Sequence, residues 1–97
     1  MPLLSICIPT YYDLDALDSN LDFLCDQNSH QIEVIICDDC PTNEVYLIVE
    51  RYESRIPIKY FRGKNEGLDS ALIELIKHST GDYVWWLGDD ILLPKSI

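Results

Sequence analysis

Four short apolar runs alternate with segments of helical period, and this alternation limits the possible folds more than any other feature. LLSICI (Leu3 to Ile8), IEVIIC (Ile32 to Cys37), PIKYF (Pro57 to Phe61) and YVWWL (Tyr83 to Leu87) each read as a strand, bounded by turn residues or proline. Between the first two, Leu14, Leu17, Leu21, Leu24 and Cys25 recur at helical spacing, with Asp15, Asp18, Asp22 and Asp26 on other faces. Pro41-Thr42-Asn43-Glu44 has helix-start chemistry and precedes a stripe of Val45, Ile48, Val49 and Tyr52. A third helix carries Leu68, Leu72, Leu75 and Ile76 and is closed by Thr80-Gly81. The order β-α-β-α-β-α-β predicts an α/β fold: an open, mostly parallel, Rossmann-like sheet with helices on both faces. Right-handed crossovers build it outward from the first strand. Residues 1–97 are expected to form one domain, with no repeat, linker or low-complexity tract.

Composition excludes several function classes. Seven basic against 17 acidic residues give a formal charge of -10, which disfavours nucleic acid and direct docking on an anionic membrane. No run approaches the roughly 18 apolar residues needed to cross a bilayer. Met1-Pro2-Leu3-Leu4 lacks the basic start of a signal peptide. Cys7 and Cys37 lie inside apolar runs, where reduced cysteine behaves as a small hydrophobe. A reduced, cytoplasmic protein is therefore expected. Cys37-Asp38-Asp39-Cys40 has C-x-x-C spacing, but two acids between the thiols oppose their activation, and His30 and His78 stand in unrelated segments.

Polar residues gather where the strands end. Pro9-Thr10-Tyr11-Tyr12-Asp13 follows the first, Asp38-Asp39 the second, Arg62-Gly63-Lys64-Asn65-Glu66-Gly67 the third and Gly88-Asp89-Asp90 the fourth. In a parallel sheet these clusters share one edge, where ligands bind in open α/β folds. Each alone is also the ordinary chemistry of turns and caps; their convergence favours a site. Tyr11 can stack on a base and Asp39 can meet a ribose or base edge. Neither G-x-x-x-x-G-K-[ST] nor G-x-G-x-x-G is present, so a diphosphate needs another source of positive charge. A hard divalent cation on Asp90 would supply it. Asp69 and Glu66 read as helix-start acids, His78 as a helix-end cation, and one or both of Trp85 and Trp86 as core.

SICIPTYYD, VIICDDCPTNEV, KNEGLDSAL and GDYVWWLGDD resemble, in order and spacing, the family 2 glycosyltransferases of the GT-A fold. The resemblance covers almost the whole chain and matches the N-terminal, nucleotide-sugar half of that fold. YVWWLGDD looks like the branch that builds bacterial surface polysaccharides. The resemblance implies an inverting transfer of sugar from a nucleotide-diphosphate sugar to a saccharide or lipid-linked acceptor, in the cytoplasm or at the inner face of the membrane. It implies that Pro9, Thr10 and Tyr11 line the nucleotide pocket, that Asp39 contacts the base with Asp38 beside it, and that Arg62, Asn65 and Gly67 border the pocket. The family's D-x-D metal motif aligns with Gly88-Asp89-Asp90, making Asp90 the ligand of Mg2+ or Mn2+ and Asp89 its neighbour at the nucleotide. Gly88 replaces the first acid of that motif, and Tyr12 and Cys40 replace a frequent asparagine and serine. The catalytic base is expected beyond Ile97, in a C-terminal half.

Other readings predict other patterns. A non-catalytic nucleotide-binding or regulatory module would share the pocket without the transfer chemistry. A phosphoacceptor receiver would place paired acids after the first strand, where this chain has Pro9-Thr10. A dinucleotide-dependent oxidoreductase would carry the glycine fingerprint that is missing here.

Overall fold

The structure is a computed structural model that describes residues 3–11, 14–26 and 31–88. Strands β1 (Leu4–Thr10), β2 (Ile32–Asp38), β3 (Ile58–Arg62) and β4 (Tyr83–Trp86) alternate with helices α1 (Leu14–Asp26), α2 (Glu44–Glu50) and α3 (Leu68–His78). The sheet has the order β3-β2-β1-β4 and every pairing is parallel. The chain steps outward from β1 to β3, then crosses back through α3 to place β4 on the far side of β1.

Side chains alternate across the sheet, so each strand feeds two cores. Ile6 and Ile8 of β1 and Val34 and Ile36 of β2 pack with Leu17, Leu21, Val45 and Val49 of α1 and α2. Cys7, Ile35 and Cys37 face the other way, against Ala71 and Leu75 of α3. β1 and β2 are covered on both faces, which is why their sequences are continuous apolar runs. Tyr52 continues the α2 stripe beyond the helix end and is buried.

Three expectations need correction. Pro9 does not end β1: the strand runs on to Thr10, pairing Pro9 with Cys37. The Cys7 carbonyl accepts from β4's side (Leu87 N–H) and that of Thr10 from β2's side (Asp39 N–H). By alternation the Pro9 nitrogen faces β4, which has already ended at Trp86, so its missing N–H breaks no ladder bond. The tryptophans are not core. Trp85 and Trp86 are 46% and 42% exposed, because β4 is an edge strand with no described helix packed over it. In α3 the buried positions are Ala71 and Leu75, while Leu68 and Ile76 are exposed. The small Ala71 lets the helix sit close to β1 and β2, which turns the two flanking residues of the stripe outward.

Helix α2 starts within the expected Pro41-Thr42-Asn43-Glu44 stretch. Asn43 occupies the cap position without a side-chain bond, and Thr42 Oγ1 accepts the Glu44 N–H at 3.3 Å. All four cysteines are free and buried. Burial, reinforced by the Asp39 and Asp38 charges, pushes the Cys37 thiol up to about 12, a value at which it is inert as a nucleophile.

Candidate nucleotide-sugar site

The parallel register brings the strand ends to one rim. Pro9, Thr10 and Tyr11 arrive from β1, Asp39 from β2, and Asn65 and Gly67 from the loop between β3 and α3. Together they line a pocket of about 360 Å³. Leu68 and Ala71, in the first two turns of α3, provide apolar wall, and Gly88 closes the β4 side. Neither Leu68 nor Ala71 stood out in the sequence as a site residue. Their signal was position alone, at the helix start after the Asn65-x-Gly67 turn.

Asp38 and Asp39 are neighbours in sequence and face opposite sides of the sheet. Asp38 belongs to the row Thr10–Asp38–Arg62, matched across β1, β2 and β3 on the α1/α2 face. Its side chain is fully buried and its oxygens are occupied. Oδ1 accepts the Cys40 N–H at 2.9 Å; Oδ2 accepts the Tyr60 hydroxyl and Arg62 Nη1, the latter at 2.8 Å. Arg62 Nη1 also reaches the Thr42 carbonyl at 3.3 Å. Burial and the bond to Asp38 push the Tyr60 phenol up to about 12. Asp38 and Arg62 are therefore joined to each other, and neither lines the pocket. The Thr10 hydroxyl on the same face is buried without a hydrogen-bond partner, while the Thr10 carbonyl accepts the Asp39 N–H at 3.0 Å.

Asp39 continues the other row, after Glu33, Ile35 and Cys37, on the face that α3 covers. Its Oδ1 accepts the Asn65 N–H at 3.1 Å, and Asn65 holds the left-handed backbone (φ 57°) that aims this N–H. A carboxylate at a pocket wall, with one oxygen held by a backbone N–H, retains acceptor capacity for a ligand N–H or O–H. No described lysine or arginine lines the pocket. Asp89 and Asp90 lie outside the described residues. Among the described residues, no three histidine, cysteine or acidic side chains converge as a metal cage.

A parallel α/β sheet with this strand order, carrying a pocket at its carboxyl edge, is the donor-side architecture of GT-A glycosyltransferases. The UDP-GlcNAc complex of S. aureus TarS superposes with a TM-score of 0.85 at 25% identity, over 98% of this chain and 28% of that one. A mannosyltransferase from Pyrobaculum calidifontis, in complex with GDP-Man and Mn2+, shares the fold at 22% identity with a TM-score of 0.80 over 96% of this chain and 29% of that one. TuaG of Bacillus subtilis, a glycosyltransferase named for teichuronic acid biosynthesis, is 32% identical across 92% of this chain and 36% of its own length. The profile of "Glycosyl transferase family 2" matches residues 5–96, and the chain belongs to that family. It spans about a third or less of the length of these relatives. Among the described residues, no helix is long and apolar enough to cross a membrane.

Proposed function

We propose that the pocket holds the nucleoside diphosphate of an activated sugar, and that the sugar passes by an inverting displacement to a saccharide or lipid-linked acceptor during bacterial surface-polysaccharide synthesis. The observation that carries this reading is Asp39, held by the Asn65 N–H at the wall of a pocket built from all four strand ends. Tyr11, 44% exposed at the rim, offers a ring face to the base. TarS, bound to UDP-GlcNAc in its crystal structure, supports a nucleotide-sugar donor. TuaG supports a polysaccharide product. The buried free thiols support a reducing compartment, the cytoplasm or the inner face of the membrane.

The donor diphosphate needs positive charge that no described lining residue supplies. Carboxylate oxygens are the ligands Mg2+ and Mn2+ prefer, and Gly88 brings the chain to the pocket wall one residue before Asp89 and Asp90. Asp90 would hold the cation, with Asp89 beside it at the nucleotide. The ion, when bound, offsets charge that develops on the departing diphosphate. The chain's own residues bind and orient: Tyr11 and Asp39 the base, Pro9 and Thr10 its edge, Asn65 and Gly67 the wall beside Asp39.

Titration calorimetry with UDP, dTDP, GDP and CDP, in Mn2+ and in chelator, tests the reading. At least one nucleotide should bind, more tightly with metal. Asp39→Asn should weaken binding about tenfold, the loss of one charge-assisted hydrogen bond. Asp90→Asn should reduce the metal dependence more than Asp89→Asn. Binding of no nucleotide, or equal binding by parent and Asp39→Asn, refutes the assignment.

A further inference from the structure

Gly63 is the first residue after β3, and its N–H donates to the Asp38 carbonyl at 2.9 Å, so its backbone is tied to β2. A Cβ built on it would lie 2.8 Å from Asp39 Cγ, closer still to Asp39 Oδ1, and 2.8 Å from Cys37 Sγ. Its φ is not among the positive ones, so the backbone tolerates any L residue; the space does not. The obstruction is mostly the carboxylate itself. Because Gly63 cannot retreat from the ladder, a Cβ there would swing Asp39 off the Asn65 N–H.

We propose that Gly63 is a positioning residue for donor recognition: its missing side chain is the space in which the Asp39 carboxylate turns, so that Oδ1 meets Asn65 and Oδ2 addresses the pocket. This rests on the nucleotide-sugar reading of the pocket. It adds that the carboxylate is aimed from behind, by the β3–α3 loop, and that the site's preference for a ligand N–H donor is set at residue 63 as much as at 39. The atoms displaced by a methyl group are side-chain ends, so the fold should survive Gly63→Ala.

A mutant cycle decides it. Gly63→Ala, Asp39→Ala and the double variant are titrated with the nucleotide that the parent binds best, and the Asn65 amide is followed by NMR in each. Gly63→Ala should weaken binding about tenfold, and the double variant should bind no worse than Asp39→Ala, because both changes remove one interaction. The Asn65 amide proton should move upfield in Gly63→Ala as it does in Asp39→Ala, with or without nucleotide. In a Cys37→Ala background, which removes the sulfur contact, the same shift should persist, and this variant serves if the single one folds poorly. Parent-like binding by Gly63→Ala, or losses that add in the double variant, overturn the proposal. If Asp39→Ala leaves nucleotide binding intact, the pocket assignment falls, while the Asn65 shift still reports whether Gly63 aims the carboxylate. An unmoved shift would overturn that too.

Discussion

Glu33 on β2 and Asp39, the first residue beyond it, stand three side-chain positions apart along one row, at opposite ends of α3. Their surroundings make them opposites. Glu33 is buried, and four groups reach its carboxylate: the Ser5 hydroxyl, the Thr80 N–H at 2.7 Å, the Thr80 hydroxyl at 3.0 Å and Lys59 Nζ at 3.2 Å. Ser5 Oγ in turn accepts the Gly81 N–H at 2.8 Å, so one acid ties β1, β3 and the α3–β4 turn together. Among the described residues, Asp39 accepts from the Asn65 N–H, and a cavity lies beside it. The same residue chemistry along the same row serves the fold where protein donors saturate it and serves a ligand where they do not.

The largest expected difference is in stability. Glu33→Ala leaves the Ser5 hydroxyl, the Thr80 N–H and the Lys59 ammonium without their acceptor, and should cost about 3–4 kcal/mol. Asp39→Ala frees only an exposed backbone N–H and should cost less than about 0.5 kcal/mol. Urea unfolding followed by circular dichroism measures both. Similar costs for the two variants would break the comparison, since it assigns stability to one acid and binding to the other.

Acid provides a second, somewhat smaller contrast. Burial by itself would raise the Glu33 carboxyl, but the bonds from Ser5, the Thr80 N–H, Lys59 and the Thr80 hydroxyl outweigh it and hold the group at about 2, below an ordinary 4.5. The folded state thus binds this proton more weakly than the unfolded chain. The stabilisation is fully present above the ordinary value and is lost as pH falls from there toward 2. The part lost between pH 6 and pH 2.5 amounts to roughly 2–3 kcal/mol. Other carboxylates also titrate in this range, so the quantity to follow is the stability gap between the parent and Glu33→Gln. That gap should shrink by this amount between pH 6 and pH 2.5; a gap that stays constant would mean that folding does not lower the Glu33 carboxyl.

The sequence revealed the element order, the sheet direction and the rim where polar residues meet, because those depend on periodicity and on the fixed direction of parallel strands. It did not reveal register. Ser5 and Glu33 each read as a single polar residue inside an apolar run, and only their pairing across β1 and β2 makes them one network. Parity separated Asp38 from Asp39 in the same way. A period of two sends adjacent side chains to opposite faces, yet which face holds the pocket depends on where α3 lands. The exposure of Trp85 and Trp86 escaped for a related reason: an apolar strand reads alike at the centre and at the edge of a sheet. Gly63 was visible only as a turn residue, since the space it leaves is defined by a side chain 24 positions earlier.

The smallest effect concerns what holds Glu33: charge or hydrogen bonds. Among the described residues Lys59 is the cation on it, 45% exposed at its side chain, and its ammonium also donates to the His78 carbonyl at the end of α3 at 3.0 Å. An ion pair with a half-exposed partner is screened by water and contributes little, whereas the Ser5 and Thr80 donors are fixed by the fold and need no further ordering. Lys59→Met keeps the aliphatic stem and removes the charge. It should therefore cost about 1 kcal/mol or less, and most of the acid-dependent gap should remain, because three uncharged donors still favour the ionised carboxylate. High salt should bring the parent down toward the variant. A loss as large as that of Glu33→Ala would instead make the lysine the principal partner. The amino-terminal end of the sheet would then be an electrostatic clamp, not a hydrogen-bonded one.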